Sequence, residues 1–149
     1  MGMQTFPNIF LPRPGRFGLV PTLLTSGRIN TGTLAAGTQT HCIGTSPGRA
    51  QVLRAVVSAE TFPTAATNCT VRLVKRDVSA ASNVNLSDAI DINAKTAETG
   101  ISIPLLSTLS DADARLDAGD TLKLSLVTTG AVSVQPDDLV VVVELSPLR

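Results

Sequence analysis

His41 and Cys42 place a general base beside a soft nucleophile, and the chain has no other histidine. Nucleophilic catalysis needs such a pair within hydrogen-bond reach, with a third group orienting the base. Neighbouring residues of a strand point to opposite faces, so an extended His41-Cys42 segment cannot close the pair on itself. A serine from elsewhere in the chain stays open as a partner, which leaves a hydrolase testable through His41→Ala. The acids Asp111, Asp113, Asp117 and Asp120 are dense enough to suggest calcium. A calcium loop, however, needs acids at alternate positions and glycine at the sixth, where this sequence has Arg115 and Leu116. Turn and cap chemistry fits better: Ser110 or Asp111 opens a tight turn, and Asp120 pins the one after Gly119.

Other chemistries find less. Two cysteines and one histidine fall short of a zinc ligand set. Gly44-Thr45-Ser46-Pro47-Gly48 lacks the lysine and following helix of a phosphate-binding loop. Saccharide platforms use exposed aromatic faces, and this chain has no Trp and no Tyr. The expectation is a non-enzyme, with no catalytic residue, cofactor, metal or small-molecule substrate assigned. Cys42 and Cys69 are read as small buried hydrophobes, with a disulfide possible only if their strands are neighbours.

The elements that must position any site divide the chain in two. The 149 residues suit one domain, 43% apolar and 16% charged, with an aliphatic core because only four Phe are present. A net charge of zero argues against generic nucleic-acid binding. The absence of an apolar run near 18 residues gives no indication of a membrane span, and the lack of a leader suggests synthesis in a reducing cytosol. Charge is unevenly placed: residues 1–59 hold five Arg and no acid, whereas residues 60–149 hold seven basic residues and twelve acids, a balance of 7 − 12 = −5. That dipolar arrangement suits docking on an acidic protein surface, a neighbouring copy included.

Residues 1–37 alternate prolines and glycines with apolar side chains and read as an extended N-terminal arm. Phe6, Phe10, Leu11, Arg13, Arg16 and Phe17 are its candidate protein-interaction residues, because Phe and Arg favour interface centres. Two arrangements fit: the arm docks on another molecule, or folds back to cap its own body. Residues 38–149 read as short strands separated by turns. These are Thr38–Ile43, Gln51–Glu60, Thr70–Asp77, Leu86–Asn93 (strand or one helical turn), an edge or bulged strand in Gly100–Leu109, Thr121–Val127, Ala131–Val134 and Leu139–Leu145. Ser79–Asn85 reads as a loop. In Thr121–Val127, Leu122, Leu124 and Leu126 share one face. Leu139–Leu145 is apolar on both faces until Glu144, the mark of a central or doubly covered strand. The fold class is all-β, an antiparallel sandwich or barrel with no long helix.

The segments LSDAIDINAKTAETGISIPL (86–105) and LDAGDTLKLSLVTTGAVSVQPDDLVVVVEL (116–145) resemble the jelly-roll decoration, or cement, proteins of tailed-bacteriophage capsids. The second shares that group's closing pattern: an Ala-Gly-Asp turn, an amphipathic strand, a short Pro-Asp loop and a final Val-rich strand. The resemblance implies an antiparallel jelly-roll β-sandwich bound to the outside of the virion over junctions of the major capsid protein. It implies a homo-oligomer, dimer or trimer, assembled in the host cytoplasm and reinforcing the shell by contact area. Another virion part of the same fold, a tail or head-fibre base with a receptor-binding role, is the alternative.

Overall fold

A computed structural model describes residues 21–148. The arm candidates Phe6, Phe10, Leu11, Arg13, Arg16 and Phe17 lie outside the described residues. One sheet contains β1 (Thr22–Thr25), β12 (Val140–Pro147), β3 (Ala50–Ser58) and β8 (Ile101–Ile103) in that order, with β9 (Arg115–Leu116) also pairing β3. The other contains β2 (Gly37–Thr45), β10 (Thr121–Thr129), β5 (Asn68–Asp77) and β6 (Ser82–Asn85), with β7 (Ile90–Asp91) also pairing β5. A short ribbon of β4 (Thr64–Ala65) and β11 (Val132–Val134) flanks them, and every pairing is antiparallel. Taking β6 and β7 as one interrupted strand, the main strands run first-eighth-third-sixth and second-seventh-fourth-fifth. That order is a jelly roll. The expected all-β sandwich is the fold observed.

The alternation in TLKLSLVTT explains the second sheet. Leu122, Leu124 and Leu126 are fully buried and pair with Lys75, Leu73 and Val71 of β5. Val141 and Val143 of β12 answer from the first sheet, with Val57 and Ile103 beside them. Among the described residues, Phe62 is the one aromatic side chain in a core otherwise made of Val, Leu, Ile, Ala and Cys. The doubly apolar last strand is central, between β1 and β3. Pro104 stops β8 after Ile103, and β8 is an edge strand, as a proline without an amide hydrogen requires.

The segment expected as an arm contributes to the body after Pro21. Thr22–Thr25 is the first jelly-roll strand, Leu34 is buried, and its backbone amide and carbonyl are both held by the Gln135 side chain. A Cβ on Gly44 would lie 2.7 Å from a Leu24 methyl, so glycine there lets the first strand close against the second sheet.

Three local expectations are corrected. Ser79–Asn85 is only partly a loop, since Ser82–Asn85 forms β6. The Asp77 carboxylate accepts from the Ala80 amide at 2.8 Å and the Ser79 hydroxyl at 2.7 Å, and Ala81 takes φ +53°, so a tight turn closes the hairpin. Leu86–Asn93 holds only the two-residue β7, because the Ser87 hydroxyl takes the Leu73 amide and displaces a ladder bond. Cys42 is exposed instead of buried, since its strand turns it outward opposite Lys123.

Candidate functional site

The outer faces of the two sheets differ, and the difference comes from strand alternation. On the first sheet Val140 and Val142 alternate with buried Val141 and Val143, so they point outward. Val142 stands opposite Val56 on one side and Thr25 on the other. The neighbouring row places Leu23, 70% exposed, beside Glu144 and Arg54. Leu53 has no partner, because the register shifts between Glu144 and Leu145, and this bulge leaves it 44% exposed. The Arg54 guanidinium and Glu144 carboxylate pair across this row. The result is a strip of Leu23, Leu53, Val56, Val140 and Val142 with one ion pair set in it.

Beyond Ser58 and Val140 the face ends at a recess of roughly 380 Å³ lined by Ser58, Ala59, Glu60, Glu98 and Asp138. Two left-handed residues shape it, Glu98 at φ +59° and Asp138 at φ +49°. The Glu98 amide donates to the Ala59 carbonyl at 2.9 Å, fixing that loop to the end of β3. Asp138 pairs with Arg28 at 2.9 Å, and Glu60 and Glu98 have no ion pair among the described residues. The outer face of the second sheet is instead rich in hydroxyl and amide groups, with Thr40, Ser125, Asn83 and Asn85 around Lys123 in a recess of roughly 350 Å³.

The residues singled out for chemistry are dispersed. His41 faces the interior opposite Leu124, half-buried, with Nε2 3.1 Å from the Gln39 Oε1. Burial lowers its pKa from 6.5. Cys42 points the other way. Cys69 is buried; desolvation raises its thiol pKa, opposed by the Thr128 hydroxyl at 3.7 Å. Both cysteines are free, and β10 lies between their strands. Gly44-Thr45-Ser46-Pro47-Gly48 also spells the Gly-x-Ser-x-Gly pattern of a nucleophile elbow, a strand-to-helix turn that exposes the serine. Here the pentapeptide carries the chain from β2 in the second sheet to β3 in the first, with no helix following it. Ser46 is 2% exposed, and its hydroxyl donates to the Gly48 carbonyl at 2.6 Å.

The acids serve separate partners. Asp113 takes the Ser110 hydroxyl at 2.7 Å while Ser110 caps α1 (Asp111–Ala114), and Asp117 lies 3.6 Å from Arg49. Buried Asp120 accepts the amides of Val78 at 3.0 Å and Asp117 at 2.9 Å, so it pins the turn assigned to it and a second one besides. Among the described residues no group of three or more His, Cys, Asp or Glu converges on a common point.

Leu23, Leu53, Glu60, Glu98 and Asp138 were not singled out by sequence reasoning. The available signal was the adjacent Leu23-Leu24 pair between Pro21 and Gly27, which in a strand sends one leucine in and one out.

Scans against protein-family models and curated proteins gave no match. Among solved structures the chain is similar to one in the structure of infectious bursal disease virus Gx strain, with TM-score 0.40 and 11% identity, over 87% of this chain and 36% of that one. The chain therefore spans about a third of that chain's length. The all-β jelly roll stands on the strand order itself.

Proposed function

We propose that this chain is a structural virion protein that binds the outer surface of a tailed-phage capsid across junctions of the major capsid protein and stabilises the shell. The observation that carries the reading is the apolar outer face on the sheet into which residues 1–20 lead. A sheet face with outward Leu and Val is a binding surface more than a solvated one. Residues 1–20 add three Phe and two Arg to it. The decoration-protein resemblance of residues 86–105 and 116–145 supplies the partner and the location on the capsid exterior.

The mechanism is added contact area: side chains on the face and arm become buried, and each apolar Å² removed from water contributes roughly 25 cal/mol. No group is required to transfer a proton or electron pair, so the chain acts without catalysis or cofactor, as a dimer or trimer assembled in the host cytoplasm. Deleting residues 1–20 leaves all the jelly-roll strands in place. The truncated protein should keep its thermal transition and fail to co-sediment with capsid shells; undiminished binding would remove the reading. A tail or head-fibre-base module is the second reading. It is favoured by the hydroxyl- and amide-rich face around Lys123, and glycan-array binding would support it.

A further inference from the structure

Residues 1–20 carry what the first sheet's outer face and its terminal recess lack. They contain Phe6, Ile9, Phe10 and Leu11, then Arg13 and Arg16, and no acid. The face presents Leu23, Leu53, Val56, Val140 and Val142, and its far end opens on Glu60, Glu98 and Asp138. We infer that this face and recess are the receptor for residues 1–20 of a second copy of the chain. Phe6, Phe10 and Leu11 lie on the valine and leucine strip, and Arg13 and Arg16 reach Glu60 and Glu98. The inference rests on the proposed function in taking the arm to act between molecules, and it names the surface that receives it.

Dimensions agree. The strip follows β12 from Leu145 to Val140, about 17 Å at strand rise, and Phe6 to Leu11 also spans about 17 Å when extended, which sets Arg13 and Arg16 beyond its end. Twenty extended residues reach about 65 Å, against a body roughly 40 Å across. Direction favours a second copy over the same one. The chain enters β1 at Thr22, opposite Leu145, which is the end of the strip away from the recess. To lie on its own face the arm would have to reverse at once around Pro21, whereas a neighbour's arm arrives without that reversal. Charge favours it too, because the arm belongs to the acid-free first 59 residues, and Glu60 and Glu98 have no ion pair among the described residues.

Sedimentation of the full chain and two charge-reversed variants tests this. Arg13→Glu/Arg16→Glu reverses the arm, and Glu60→Arg/Glu98→Arg reverses the recess at two exposed positions. Each variant alone should self-associate at least about tenfold more weakly than the wild type, since each now sets like charges together. Mixed in equal amounts they should recover association, because each arm then meets a recess of opposite charge. Two misfolded proteins would not repair one another, so recovery reports docking. A wild type that stays monomeric, variants that associate like it, or a mixture that stays monomeric would each overturn the inference. Shell co-sedimentation of the wild type is scored separately: recovered association without shell binding removes the capsid reading and leaves the docking intact.

Discussion

Asp120→Ala should destabilise the body by about 2–4 kcal/mol. The carboxylate is 3% exposed and takes two backbone amides from different loops, Val78 after β5 and Asp117 before β10. A hydrogen bond to a charged acceptor contributes about 1.5–3 kcal/mol, and alanine leaves both amides without a protein partner. Val78 is 57% exposed, so water can take up its amide and the sum falls below the ceiling. Backbone bonds from Ser46 to the Asp120 carbonyl at 2.8 Å and from Gly119 to the Ser46 carbonyl at 2.9 Å tie a third loop to the same point. Loosening one turn should therefore loosen its neighbours. For a chain of this length 1 kcal/mol corresponds to about 3 °C, so the midpoint should fall by about 6–12 °C. Asp120→Asn keeps one acceptor and sets a donor against the other amide, so it should cost about half as much. With no Trp or Tyr, circular dichroism is the suitable probe. An Asp120→Ala midpoint within about 2 °C of wild type would refute the stapling role.

Leu124→Ala should cost about 3–4 kcal/mol in urea unfolding, because the side chain is fully buried at mid-sheet, while Ser125→Ala on the outer face should stay within about 0.5 kcal/mol. Gly130→Ala should lose about 1–3 kcal/mol, since φ is +82° and a Cβ would stand 2.9 Å from the Thr67 hydroxyl and 3.2 Å from its backbone nitrogen; Gly48→Ala meets nothing and should be neutral or slightly stabilising in the same melts. Native protein should react at Cys42 with a thiol reagent while Cys69 waits for unfolding; two fast thiols per chain would contradict the burial of Cys69. Because burial lowers the His41 pKa in the fold, the unfolded chain binds the proton more readily. That share of stability is present above pH 6.5 and lost as pH falls through the folded value, so His41→Gln should flatten the melting-temperature profile on the acid side.

Much of the architecture could be read from residue alternation. Leu122, Leu124 and Leu126 state a half-buried strand, and Val140–Val143 a central one, because side-chain period follows burial directly. What was hidden is what tertiary context decides. The first strand sits among Pro21, Gly27 and Gly32, whose turn chemistry masks a four-residue edge strand held by pairing with β12. The β6 hairpin depends on the Asp77 carboxylate closing its turn, which the small, polar SAASNVN texture of residues 79–85 does not announce. The acidic recess joins residues 60, 98 and 138, from three connections far apart in the chain, so no local spacing could assemble it. The arm candidates, by contrast, rest on composition alone.

The central claim is that this jelly roll fastens to the outside of a viral shell, with residues 1–20 and the first sheet's outer face making its contacts between molecules. Cryo-microscopy of virions assembled with and without the chain measures that claim most directly. The account predicts added density of sandwich size on the outer surface over capsid-protein junctions, with its Leu23–Val142 face covered. Density confined to the tail, or shells alike in both preparations, would contradict it.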